Sequence, residues 1–475
     1  AFKMEAPLLD ETLDKPLLED HKHDWADDWD QDESSQRCDN IDVGSLGILH
    51  RSIPIAHESE SFWIRLQAFM GPGALVAVGY MDPGNWATDI AAGSAYNYKL
   101  LFVILMSSVV AMFLQELALR LGVAAQLDLA QACRLHFSRP VSIFMWITAE
   151  IAIAACDLAE VVGSAIALKL LFGLPLIWGV VLTAFDVLIL LALGGNKMRN
   201  IEAIVLALMA VIFVCFAVEM YFVQPDGWLM LQGALVPSPQ LVTDQKMLLL
   251  SIGILGATVM PHNLYLHSSI VQTRDIPTDT HSVRRSIFLA TVDSNLSLSL
   301  AFLVNMAILV LAAATFHRAG HPEVADIDQA YIMLARILGN KMASVLFAVA
   351  LLASGQQSTI TGTLAGQIVM EGFVDWKISA WKRRLITRFT AIFPAICVVA
   401  VLGDAGVTPL LIGSQVVLSL QLSFAVFPLV YVTSQEGTMK GFANCGATQF
   451  VGWVIAIAIA ALNTLLIVLT FQGGA

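Results

Sequence analysis

"GYMDPGNWATDI", residues 79–90, interrupts a run that otherwise reads as one membrane-crossing helix. Met70-Gly71-Pro72-Gly73-Ala74-Leu75-Val76-Ala77-Val78 leads into it, and another apolar run follows after one short polar turn. An acid, a proline, a glycine and an amide stand where lipid calls for unbroken apolar helix. Proline has no N–H and its ring crowds the carbonyl one turn back, while glycine tolerates the resulting kink. Carbonyls freed in this way cannot face hydrocarbon and must be answered by protein, water or an ion. The stretch predicts a helix broken around a polar interior site.

Composition agrees that the surroundings are lipid. Of 475 residues, 57% are hydrophobic and only 13% charged, against about 25% charged in soluble domains. The formal charge of −12 sits almost wholly in the first sixty residues, where "LLDETLDKPLLEDHKHDWADDWDQDE" packs acids densely. No basic stretch suits nucleic acid. The six cysteines show no CxxC spacing and read as small buried hydrophobes. The acidic, polar opening is not a cleavable signal peptide.

At about 20 apolar residues per crossing, eleven spans are expected: 64–93, 100–122, 141–171, 175–194, 201–223, 247–271, 286–316, 342–371, 385–403, 408–433 and 448–471. The third, seventh and eighth are long enough to tilt or project. Residues 328–340 read as a short amphipathic helix. Residues 1–60 form an expected disordered acidic tail, and 61–475 the transmembrane domain. With the N-terminus in the cytoplasm, fourteen lysines and arginines fall on the cytoplasmic side and six opposite, in accord with the positive-inside rule.

The interruption has a counterpart in "SIGILGATVMPHNLYLHSSIV", where Met260-Pro261-His262-Asn263 sits mid-span. Five spans separate the two breaks, so the two halves have opposite orientation. Paired broken helices in inverted halves point to a transporter with a midplane site. C-terminal ends of half-helices carry negative partial charge and suit a cation. Asp82 adds a carboxylate, Asn85 an amide oxygen, Met260 a thioether, and a carbonyl near Ala257 comes free. Oxygen donors alone suit magnesium or calcium; a soft sulfur favours manganese, iron, cobalt or cadmium. Ordinary packing is the competing role for Met260, but an intramembrane acid such as Asp82 marks function. On span three, Glu150, Asp157 and Glu160 lie within about 80° of one helix face. That stripe reads as a proton or cation route, or else as a network salt-bridged to arginine. His262 and His267, five apart, lack the HExxH spacing and suit proton handling, His267 equally a hydrogen-bonded helix residue.

At these residues the sequence resembles the Nramp family of proton-coupled divalent-metal transporters. The likeness covers about residues 64–471 and rests on "DPGN" (82–85), "GATVMPHNLYLHS" (256–268), "AEIAIAACDLAEVVGSAIAL" (149–168) and "GSQVVLSLQLSFAVFPL" (413–429). It implies an all-α LeuT-type fold with spans one to five and six to ten as inverted repeats. It implies metal held by Asp82, Asn85, Met260 and the Ala257 carbonyl, joined by Gln415 and, less centrally, Gln115. His262, Glu150, Asp157 and Glu160 match positions tied to proton passage. Relatives that carry magnesium or aluminium lack the methionine, so manganese and ferrous iron are the expected cargo. No cofactor and no enzymatic chemistry are expected. The chain departs from the family pattern at Trp86, which is bulkier than usual, and in "LGVAAQLDLAQACR", which lacks a loop glycine; a twelfth span is absent or cut off.

Other classes fit less well. A sodium-coupled amino-acid carrier of this architecture wants hydroxyl-rich breaks and free helix N-termini for a carboxylate. A non-transporting metal sensor calls for a large effector domain, and a metalloenzyme for a histidine-rich cluster. In the tail, Leu8-Leu9 and Leu17-Leu18 follow acids as in dileucine sorting signals, which would bring sorting adaptors as partners and an endosomal or vacuolar membrane as alternative to the plasma membrane. His21 and His23 could bind metal weakly, though a solvated tail is the simpler expectation.

Overall fold

A computed structural model of the chain describes residues 49–55, 60–183, 198–322, 324, 326–339, 341–375 and 380–471. The acidic tail, with Leu8, Leu9, Leu17, Leu18, His21 and His23, lies outside the described residues. Within the segment expected to lack structure, Ile53–Pro54 (β1) pairs in parallel with Arg274–Asp275 (β2), and the Arg51 N–H donates to the Gln272 carbonyl at 3.0 Å.

The rest is helical, as the apolar runs dictate. In order come α1 (Phe62–Phe69), α2 (Pro72–Val78), α3 (Pro83–Tyr96), α4 (Leu101–Arg120), α5 (Leu129–His136), α6 (Arg139–Phe172), α7 (Met198–Val223) and α8 (Gly227–Leu235). Then follow α9 (Gln245–Thr258), α10 (Pro261–Ile270), α11 (Thr280–Ala312), α12 (Ile327–Leu338), α13 (Lys341–Val374), α14 (Ala380–Leu402), α15 (Val407–Thr433) and α16 (Gly446–Phe471). Among the described residues, eight helices are long and apolar enough to cross a bilayer, or nine if the bent pair α1–α2 makes one more. The fourth expected span runs at residue 184 into a stretch outside the described residues, and the ninth keeps a shorter apolar helix, Ile386–Leu402. The third, seventh and eighth are indeed long: α6, α11 and α13 have 34, 33 and 34 residues. The amphipathic α12 buries Ile327, Ala330 and Leu334, spaced three and four apart on one face.

Large apolar side chains such as Phe389, Val401, Phe450 and Ile457 are exposed, as a lipid-facing perimeter requires. Cys133, Cys156 and Cys215 are buried as expected, but Cys397 and Cys445 are exposed. Inside, α6 and α13 pack along each other, and α11 packs against α2, α3 and α4. The broken helix is seated on α6, where Pro83 occupies the space a Cβ on Gly163 would need.

The first span is bent twice. Besides the expected break at Asp82, α1 and α2 meet at 47°, through Gly71 at φ 135°. That φ suits glycine alone, and the Glu202 carboxylate fills the place of the missing Cβ. Around the bend, Arg274 donates to Glu202 Oε1 at 2.6 Å and to the Met70 carbonyl at 2.8 Å. Arg199 reaches the same carbonyl at 2.8 Å, and Asp293 Oδ2 accepts from the Gly73 N–H at 2.7 Å. Asp293 and the two arginines thereby satisfy the backbone groups that the bend exposes, while Glu202 accepts from both arginines.

Candidate metal centre between two broken helices

Each break is written in local chemistry. Asp82 is the N-cap of α3, in extended conformation (φ −68°, ψ 161°), and its Oδ1 accepts from the Asn85 N–H at 2.9 Å. Pro83 follows at the first helical position, where its missing N–H costs nothing. The other oxygen, Asp82 Oδ2, is buried with no hydrogen-bond partner. Asn85 Nδ2 donates to the Tyr80 carbonyl at 2.5 Å, which leaves Asn85 Oδ1 buried and unpartnered as well.

The break's own carbonyls are answered by side chains. Asn305 Nδ2 also donates to the Tyr80 carbonyl, at 2.6 Å. Trp86 Nε1 reaches the Met81 carbonyl at 3.2 Å, joined there by the Ser354 hydroxyl. Protein groups thus hold the backbone open, and Asp82, Asn85 and Asn305 each keep one buried side-chain oxygen without a donor.

In the second break, α9 ends at Thr258, and Val259 (ψ 79°) and Met260 (ψ 124°) leave helical geometry. Pro261 opens α10. The Ala257 carbonyl stands four residues before a proline, so it loses the N–H that would close its helical turn. Met260 is buried and packs with Ala152 and Cys156 of α6 and Leu418 of α15. One turn before Leu418, buried Gln415 donates from Nε2 to the Ser414 hydroxyl at 3.2 Å, and its Oε1 has no partner. A Cβ on Gly84 would overlap the Gln415 amide and stand 3.2 Å from Asp82 Oδ2. The amide and the carboxylate therefore flank one small space that only glycine leaves open.

Three buried oxygens lack donors: Asp82 Oδ2 and Asn85 Oδ1 at the start of α3, and Gln415 Oε1 on α15. Unsatisfied buried acceptors are costly, and a cation answers them all at once. Among the described residues no group of three His, Cys, Asp or Glu could hold a metal. The donor set is carboxylate, amide, carbonyl and thioether, which excludes a closed zinc-type site among these residues and fits a dication that keeps exchanging.

The remaining predicted residues divide. Gln115 binds Tyr80 and His267 instead of the carboxylate: its Nε2 donates to the Tyr80 hydroxyl at 3.0 Å and its Oε1 meets His267 Nδ1 at 2.9 Å. His267 is thus a hydrogen-bonded helix residue. His262 is buried with Nε2 3.9 Å from Cys156 Sγ. Glu160 accepts from the Ser358 and Thr359 hydroxyls at 3.0 and 3.1 Å and lies 3.8 Å from Arg388 Nη1. The acid stripe therefore does meet an arginine. Asp157 is buried beside Glu160, and both face Gly362 of α13. Glu150, two turns away on α6, is only half-buried and accepts from Trp146 Nε1 at 3.1 Å.

Sequence reading passed over Asp89, Asn305 and Cys156. Asp89 is buried on α3 with Oδ2 unpartnered, and its place seven residues after Asp82, on the same helix face, was a usable signal. Asn305 was a lone amide in an apolar run. Nothing near Cys156 in sequence announces that its thiol lies 3.9 Å from His262 Nε2.

Comparison with known proteins agrees with this architecture. The sequence profile of the Nramp family, described as natural resistance-associated macrophage protein-like, matches residues 73–469. A divalent metal cation transporter MntH of Nostoc is 53% identical over 429 residues, 90% of this chain and 97% of the relative. One from Listeria innocua is 52% identical over 426 residues, covering 90% and 95%. The crystal structure of a manganese transporter from Eremococcus coleocola superposes with a TM-score of 0.83 at 41% identity, over 89% of this chain and 90% of that one. At 14% identity and a TM-score of 0.54, the nucleobase-cation symporter Mhp1 shares the fold alone, over 89% of this chain and 95% of its own.

Proposed function

The chain belongs to the Nramp family, and on that footing we propose that it imports divalent transition-metal ions into the cytoplasm, coupled to protons. It is an integral membrane protein whose relatives are named as divalent metal cation transporters. The single observation that carries the reading is the set of buried, donorless oxygens of Asp82, Asn85 and Gln415, with Met260 of the second break packed in one cluster with Leu418, one turn from Gln415.

Manganese and ferrous iron are the preferred cargo, with cadmium and cobalt accepted, because one thioether among oxygen donors favours intermediate and soft dications over calcium and magnesium. An arriving ion sheds most of its water and is met by Asp82, Asn85, Met260 and the Ala257 carbonyl, and Gln415 closes over it. Charge from the dication disfavours a proton on nearby groups, and His262 with the α6 acids Asp157 and Glu160 offers it a way out. Glu150 lies further along the same helix. Gln115 and His267 act through Tyr80, as positioning residues at the first break. Alternating access follows from hinging at the two breaks, α2 and α10 moving against α6 and α13. The excess of positive charge, fourteen against six, supports a cytoplasmic N-terminal tail. From there the dileucine pairs Leu8-Leu9 and Leu17-Leu18 could reach sorting adaptors of an endosomal or vacuolar membrane.

The test is uptake by reconstituted vesicles of manganese, iron, cadmium, calcium and magnesium, with internal pH followed at the same time. Manganese entry accompanied by internal acidification is expected. Entry of magnesium at the manganese rate, or manganese entry with no proton movement, would overturn the reading.

A further inference from the structure

Toward their C-terminal ends, α7 and α11 part to leave a groove of about 270 Å³. Phe213, Phe216 and Met220 of α7, Leu303 and Ala307 of α11 and Met230 of α8 line it, and no described residue of its lining has a polar side chain. A space of that size has room for about nine waters at ~30 Å³ each, but every one of them needs polar partners that these walls do not offer. From Phe213 to Met220 the groove follows α7 for about 10 Å, at ~1.5 Å per residue. Its depth is marked by Tyr221 at the end of α7 and Trp228 at the start of α8, 74% and 73% exposed, as aromatic side chains are at a membrane–water boundary. Phe213 and Leu303 both line the groove and stand exposed on the perimeter, so it opens sideways toward hydrocarbon. Its inner walls reach the first helix break. Phe216 packs on Trp86 with ring centroids 5.0 Å apart, and Trp86 Nε1 donates to the Met81 carbonyl at 3.2 Å. Asn305, between Leu303 and Ala307 on α11, donates to the Tyr80 carbonyl at 2.6 Å.

We propose that this groove holds one acyl chain of a membrane phospholipid, and that the chain, by backing Phe216 and the turn of α11 that carries Asn305, keeps the first break in the arrangement seen here. At this depth hydrocarbon is the surrounding medium. Lining atoms that face a void forfeit their dispersion contacts, and a methylene chain restores them without asking for a hydrogen bond. Met220, Met230 and Met306 all line the groove, and their unbranched, polarizable side chains adapt to a flexible occupant. A chain that fits this arrangement better than a hinged one shifts the population toward it. The lipid thereby acts on the helix that carries Asp82 and Asn85 without touching either residue.

Full-length protein in vesicles of phosphatidylcholine, with a photoactivatable diazirine midway along one acyl chain, tests this once the adducts are mapped by mass spectrometry. Met220 and Met306, both only half-buried, should be labelled severalfold more than Phe450 and Ile457, which stand fully open on the perimeter at α16. Ala217, another lining residue, gives the control. The indole of Ala217→Trp occupies the groove, so labelling at Met306 should fall severalfold while Phe450 and Ile457 keep theirs. Labelling of Met220 and Met306 no stronger than on α16, labelling unchanged in Ala217→Trp, or cross-links from Met220 to a second copy of this chain would overturn the proposal. Should the tryptophan variant misfold, Ala217→Phe is a smaller plug, and the ratio in the unsubstituted protein still decides. Amide hydrogen exchange over residues 79–86 reads the link to the break. Stripping the lipid into a rigid sterol-based detergent without an alkyl chain should speed exchange there severalfold, and far less in Ala217→Trp; exchange indifferent to lipid removal would refute the link. Neither measurement uses metal. Failure of both leaves the transport reading standing, and vesicles that take up no metal leave the groove standing.

Discussion

Asp82 performs two separable tasks, and a pair of substitutions pulls them apart. Its Oδ1 caps α3 by accepting from the Asn85 N–H at 2.9 Å, and its Oδ2 is buried and unanswered. Asp82→Asn keeps an acceptor for the cap and removes the charge; Asp82→Ala removes both. Loss of a helix N-cap costs about 1 kcal/mol, so in metal-free buffer the alanine variant should unfold about 1 kcal/mol more easily than the asparagine variant. The metal response follows a different rule. A ligand at one hundred times its Kd stabilises the folded state by about 2.7 kcal/mol, and the unsubstituted protein should gain that much from manganese. Both variants should gain nothing, since a neutral side chain gives the dication no charge to offset its lost hydration. Thermal unfolding in detergent, with and without manganese, reads both effects. A manganese-dependent shift that persists in Asp82→Asn would refute the ligand role, and equal metal-free stabilities of the two variants would refute the capping role.

Met260→Ala should lose discrimination between manganese and calcium, measured by competition for uptake; unchanged selectivity would make the sulfur a packing group. Glu202→Ala leaves Arg274, only 1% exposed, without the carboxylate at 2.6 Å, and should destabilise the protein by about 3–5 kcal/mol, the usual cost of breaking one half of a buried pair. The double variant Glu202→Ala, Arg274→Met should recover part of that loss in the same unfolding assay. Asp244 caps α9 and accepts from the Tyr96 hydroxyl at 3.0 Å. Donation from the Met247 N–H first, then from Tyr96, holds its carboxyl below the ordinary 3.8. Because the folded value is the lower one, its contribution is complete above that ordinary value and disappears as pH falls through the folded one. Unfolding followed against pH should lose this acid-side component in Asp244→Asn.

The helix breaks were legible in sequence because their causes are local. Asp-Pro at 82–83 supplies cap and first-turn residue in adjacent letters, and Pro261 strips the Ala257 carbonyl of its donor by a fixed four-residue offset. The second bend at Met70-Gly71 was not legible. Nothing in Gly71-Pro72-Gly73 demands φ 135° until Glu202, Asp293 and two arginines arrive from distant segments to stabilise it. The acid stripe was placed correctly on α6, yet its letters could not say that Arg388 would come to Glu160, nor that Glu150 would stand apart, half-buried.

By itself, then, the chain's order of residues determined where lipid is crossed, where helices must stop, and which donor types gather at each stop, since hydropathy, proline geometry and capping all act within a few residues. Which of those donors face one another was decided only by packing. Gln415 enters the space beside Asp82 because Gly84 leaves room for it. Gln115 is drawn instead to Tyr80 and His267, and Cys156 sets its sulfur 3.9 Å from His262 Nε2. Such pairings depend on the approach of segments from 35 to more than 150 residues apart, a distance over which periodicity and propensity carry no information.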